Sequence, residues 1–113
     1  MTRSLLAAAA LAVLPSTALA ADGAALFASK ACTACHHADK DQSAMGLGPS
    51  VAQIKTAYAA DGKGGADAIA KFLNGEGTAI VKPDLFPIMQ GQIAITKTMT
   101  AEERKAIADF IMK

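Results

Sequence analysis

The chain has 113 residues, with 11 Lys or Arg against 10 Asp or Glu and a formal charge of +1. A length of this order allows one small domain. The near-balance of charge, with no basic run, excludes the electrostatic footprint of a nucleic-acid binder.

Residues 1–20 read as a secretory signal peptide. Arg3 gives a positive start, Leu5 to Leu14 an apolar run, and Ala18-Leu19-Ala20 a small-x-small cleavage pattern. The run is shorter than the ~20 residues that cross a bilayer. Cleavage after Ala20 or Ala21 leaves one domain, residues 21–113, with no transmembrane segment. A domain of that size has a limited core and is expected to need a cofactor, metal or disulfide.

Asp22 is placed to cap a first helix, Gly23 to Lys30, with Gly23, Phe27 and Ala31 along one face. The next residues, Cys32-Thr33-Ala34-Cys35-His36, form C-x-x-C-H, the spacing of a c-type haem attachment site. Two thiols so spaced can each add to one haem vinyl group, and the adjoining imidazole can supply an axial ligand. A redox dithiol would want a βαβ context. A zinc site would want four ligands, and the chain offers only Cys32, Cys35, His36 and the crowded His37. A disulfide across the two-residue gap is the remaining alternative. Covalent haem attachment takes place outside the bacterial cytoplasm, so signal peptide and motif support each other.

Ala38 to Gly48 is polar and glycine-containing and reads as a loop. A second helix follows Pro49, with Val51, Ile54 and Tyr58 on one side. Asp61 to Gly65 is a glycine-rich loop. Ala66 to Leu73 is a third helix carrying Ile69, Phe72 and Leu73, stopped near Gly75. Glu76 to Lys97 lacks a long helical period and contains Pro83 and Pro87, which predicts a long loop. Its apolar content suits it to cover a haem face. Thr100 and Glu103 form a capping box that opens a last helix to about Met112, with Ile107, Phe110 and Ile111 as its stripe. The class is all-α.

The sequence resembles the small bacterial class I monohaem cytochromes c over essentially the whole mature chain. Gly23-x-x-x-Phe27 ahead of C-T-A-C-H, Phe110 within A-I-A-D-F-I, and Gly48-Pro49 carry the resemblance together with the motif. It implies three to five helices wrapped around one covalently bound haem c, with the first and last helices crossing. It also implies that the Pro49 carbonyl accepts a hydrogen bond from His36. A stiff acceptor of that kind is what a metal-bound imidazole needs to fix its tautomer; the alternative role for Pro49 is to open the helix behind it.

The second axial ligand decides the chemistry. His37 adjoins His36 and cannot reach the opposite haem face, so methionine is the natural candidate, and His/Met ligation raises the potential. Met45 lies on the proximal side, and Met112 ends the last helix. Met89, in the apolar segment where the family carries its ligand, is the first choice. Met99, just before Thr100, is the second. The family often has proline directly after this methionine; here Gln90-Gly91-Gln92 follows.

The expected function is that of a monomeric periplasmic electron carrier, not an enzyme. Its expected partners are redox proteins such as an oxidase, reductase or dehydrogenase. The rival readings are a dedicated cytochrome subunit of an oxidoreductase complex, and a haem protein whose open sixth site binds gas or peroxide.

Overall fold

The computed structural model describes residues 22–113, and the signal-peptide reading of residues 1–20 lies outside them. Among the described residues all regular structure is helical: α1 (Gly23–Ser29), α2 (Val51–Ala59), α3 (Gly65–Leu73), α4 (Phe86–Thr96) and α5 (Ala101–Met112). Short 3-10 turns at Cys32–Ala34, Ser43–Met45 and Pro83–Leu85 punctuate the connections. No helix among these residues is long and apolar enough to cross a membrane.

Local chemistry sets most of the helix starts. Asp22 accepts hydrogen bonds from the N–H groups of Ala24 and Ala25 and so caps α1. Ser50 and Gln53 form a reciprocal capping box on α2, as Thr100 and Glu103 do on α5. Helix α1 is slightly shorter than its spacing predicts. Ala31 lies beyond it in the left-handed region, with φ 61°, and turns the chain into the C-x-x-C-H segment instead of continuing the Phe27 face.

The core forms where α5 lies against α3, α1 and α2. Phe27, Tyr58, Ile69, Leu73, Met99, Ile107, Ala108 and Ile111 make one buried cluster. A fully buried aliphatic or aromatic side chain contributes roughly 1.5–3 kcal/mol, so this cluster is the main apolar driving force of the fold. The α1–α5 crossing is very close. A Cβ added to Gly23 would stand 2.1 Å from the Ala106 carbonyl oxygen and 2.9 Å from Phe110 Cβ. One turn further along α1, the Phe27 and Phe110 rings pack with centroids 5.3 Å apart, tilted by 53°.

The segment 76–97 differs from the sequence expectation. It is a loop only as far as Lys82; Pro83 then opens a 3-10 turn, and α4 follows as a regular helix. The two prolines do not interrupt it, because each sits in a first turn, where the missing N–H has no helical partner to lose. The helix escapes detection by periodicity because it is apolar around much of its circumference. Ile93 and Thr96 face inward, whereas Ile88 and Ile95 are about half exposed.

The C-terminal end of α4 is pinned twice. The buried Thr96 hydroxyl donates to the Leu73 carbonyl at 2.6 Å, tying α4 to the end of α3. From α5, the Arg104 guanidinium donates to the carbonyls of Lys97 (3.2 Å), Thr96 (3.4 Å) and Met99. The first two lie at the end of α4, where the last carbonyls of a helix lack intrahelical partners.

Replacing Gly23 with Ala should therefore destabilise the protein by about 1–3 kcal/mol through overpacking at the helix crossing. Thr96→Val should lose about 1–3 kcal/mol by leaving the Leu73 carbonyl without its donor. Both are measured as denaturant midpoints at unchanged slope.

Candidate functional site

A cleft is lined by the C-x-x-C-H segment and by residues of α1, α2, α3, α4 and α5. The space within it, open solvent at its mouth included, is about 1140 Å³. Its walls are mostly apolar: Phe27, Ile54, Tyr58, Ile69, Phe72, Leu73 and Phe86 all contribute. Cys32, Cys35 and His36 lie on one wall, Pro49 beside them, and Met89 also lines the cleft.

The left-handed turn at Ala31 and the 3-10 turn after it fold the motif back on itself, so that the His36 N–H donates to the Cys32 carbonyl at 2.8 Å. Both cysteines are free thiols and partly buried. Burial pushes the Cys32 thiol above its ordinary pKa, its own backbone N–H and the neighbouring Cys35 being smaller influences.

His36 is held rigidly. Its Nδ1 lies 2.8 Å from the Pro49 carbonyl oxygen. A carbonyl can only accept, so Nδ1 carries the proton and Nε2 the lone pair that a metal requires. The Gly48-Pro49 loop is brought there by the Gly48 N–H, which donates to the Cys35 carbonyl at 3.0 Å. A Cβ on Gly48 would stand 2.7 Å from His36 Cε1 and 2.9 Å from Nδ1. The glycine is thus required by the close approach of its backbone to the imidazole. Pro49 does not cap α2; Ser50 does.

His37 takes no part in the cleft wall. Its Nδ1 accepts the Lys40 and Asp39 N–H groups at 3.0 and 3.2 Å, and its carbonyl accepts the Val51 N–H at 2.8 Å. The methionines separate clearly. Met99 is 6 % exposed within the core cluster, Met112 packs against that cluster from the end of α5, and Met45 is 68 % exposed. None of these three lines the cleft; Met89 does.

The sequence offered no signal for two further features. Thr96 and Lys82 line the cleft as well, each fixed by a partner distant along the chain. Lys82 Nζ lies 3.3 Å from the Asp41 carboxylate. Asp41 also accepts the Ser43 N–H at 2.9 Å and the Gln53 amide at 3.1 Å. Hydrogen bonding from Ser43, then Gln53, holds the Asp41 carboxyl well below the usual carboxylate range.

A large, flat, apolar group carrying a metal fits this donor set. Two thiols could anchor such a group covalently, Nε2 of the pre-oriented imidazole could bind its metal, and a thioether could supply a further donor. Gly48→Ala should displace the imidazole, lowering the haem-to-polypeptide ratio of the purified protein and its stability by about 1–3 kcal/mol. Because the Asp41 pKa is depressed in the fold, its contribution to stability is complete above about pH 4 and fades as pH falls toward the folded value. Asp41→Asn should flatten that acid limb in a series of thermal melts between about pH 2 and pH 6.

Comparison with known proteins agrees with this chemistry. The family model described as Cytochrome c matches residues 20–113. The chain is 37 % identical over 105 residues to cytochrome c-553 of Nitratidesulfovibrio vulgaris (strain DSM 19637 / Miyazaki F), covering 93 % of this chain and 88 % of that protein. With its all-helical fold and C-x-x-C-H cleft, the chain belongs to the cytochrome c family, electron carriers that hold haem c covalently and work with redox partners.

Proposed function

We propose that the protein is a monomeric periplasmic carrier of single electrons whose haem is bound through Cys32 and Cys35 and ligated by His36 and Met89. Residues 1–20 direct export and are removed, leaving residues 21–113 as the working domain. The observation that carries this reading is the company Met89 keeps: alone among Met45, Met89, Met99 and Met112, it lines the cleft that holds Cys32, Cys35 and His36. Met99, the second candidate from sequence, is packed in the core.

When bound, the haem supplies a one-electron couple, and thioether ligation raises its potential. The chain's own residues do the rest. Pro49 fixes the His36 tautomer and ring orientation. Thr96 and Arg104 hold the end of the helix on which Met89 sits. Phe27, Ile69 and Leu73 are almost fully buried on the cleft wall and keep water out, so little rearranges when charge changes. Two protein ligands leave no position for a substrate. An oxidase, reductase or dehydrogenase partner would dock through a small, transient interface.

The ferric protein should show the near-infrared band of a sulfur–iron bond. Met89→Ala should abolish the band, lower the potential and admit carbon monoxide to the ferrous form, whereas Met99→Ala should keep the band. Retention of the band in Met89→Ala would overturn the ligand assignment. The exported protein should begin at Ala21 or Asp22 by N-terminal sequencing.

A further inference from the structure

The loop that follows His36 and the segment that leads into α4 both contribute to the cleft wall, the first through Leu47 and Gly48 and the second through Lys82 and Leu85. One polar contact joins them. Lys82 Nζ reaches the Asp41 carboxylate at 3.3 Å, and Asp41 is anchored in turn by the Ser43 N–H and by Gln53 on α2. Among the described residues this is the only hydrogen bond or ion pair between residues 32–59 and residues 74–99.

Lys82 is also conformationally unusual. It adopts φ 50°, ψ 58°, the left-handed region that non-glycine residues enter only when their surroundings hold them there. Its carbonyl accepts the Leu85 N–H at 2.9 Å and so starts the 3-10 turn that runs directly into α4. The side chain therefore ties down the residue at which the chain turns toward Met89.

We propose that Asp41 and Lys82 are positioning residues, an ionic clasp between the loop after His36 and the segment leading to Met89 that holds that segment in place and slows exchange of the sixth ligand. The inference rests on Met89 as that ligand. The two side chains are 34 % and 39 % exposed, so the pair is partly screened by solvent. Pairs of this kind rarely change an equilibrium more than about fivefold.

The test is the rate at which cyanide binds the mature, haem-loaded ferric protein at saturating cyanide, where departure of the Met89 sulfur is limiting. The sulfur–iron bond breaks, an iron–carbon bond forms, and the iron stays ferric. Lys82→Gln and Asp41→Asn should each raise this rate about threefold to fivefold, the double variant no further, and Lys82→Arg should restore the wild-type rate. Salt raised from ~0.01 M to ~1 M should speed the wild type but not Lys82→Gln. Amide exchange should rise over residues 78–85 in Lys82→Gln and stay unchanged in α5. Single-variant rates within 1.5-fold of wild type, or additive effects in the double variant, would overturn the clasp. A Met89→Ala protein that lacks the sulfur–iron band while Lys82→Gln exchanges at the wild-type rate would remove the clasp alone. A Met89→Ala protein that keeps the band would remove the ligand reading on which the clasp rests.

Discussion

A chain this short that keeps an apolar cleft through its middle cannot complete its core with protein alone. Its buried cluster lies along α1, α2, α3 and α5, and several of the same residues, Phe27, Tyr58, Ile69, Leu73, Ile107 and Ile111, also face the cleft. Wetting those walls would forfeit about 25 cal/mol for each Å² of apolar surface. Haem c is thus a structural element as much as a redox group, and the helices are arranged to present one continuous apolar surface to it. Covalent attachment through a short motif makes that arrangement permanent without enlarging the domain.

The polar interactions are concentrated where the apolar ones cannot decide orientation. An imidazole can rotate within an apolar wall, and the Pro49 carbonyl removes that freedom. A helix as apolar as α4 could roll about its axis, and the Thr96 hydroxyl and the Arg104 guanidinium, which bind carbonyls at fixed points, oppose it. The two ends of the segment that carries Met89 are thereby held by different means, Arg104 and Thr96 after it and Lys82 ahead of it. Packing supplies the bulk of the free energy, and these few directional bonds select one register among several that packing would tolerate.

The parts of this design that are local in sequence are legible there. C-x-x-C-H announces the cofactor, the Thr100 box is a four-residue pattern, and the amphipathic spacing of Ile69 and Leu73 marks a buried face. Helix α4 is the counter-example. Periodicity reports a boundary between water and core, and a helix with core on one side and cofactor cleft on the other has no such boundary to report. Prolines that permit a first turn look the same in sequence as prolines that forbid a helix. Ala31 likewise continues the spacing of Gly23 and Phe27 yet leaves the helix, because the chain must turn there to present the thiols. Thr96 with Leu73, and Asp41 with Lys82, join residues far apart along the chain, and such pairings leave no local signature.

The contact of Gly23 with Ala106 has a bearing on how the protein is assembled. It binds the first helix of the domain to the last, so the interior cannot close until nearly every residue is present. On the export proposed above, the segment bearing Cys32 and Cys35 would cross the membrane early and α5 late. That interval would leave both sulfurs open to haem attachment, and docking of the final helix would end it.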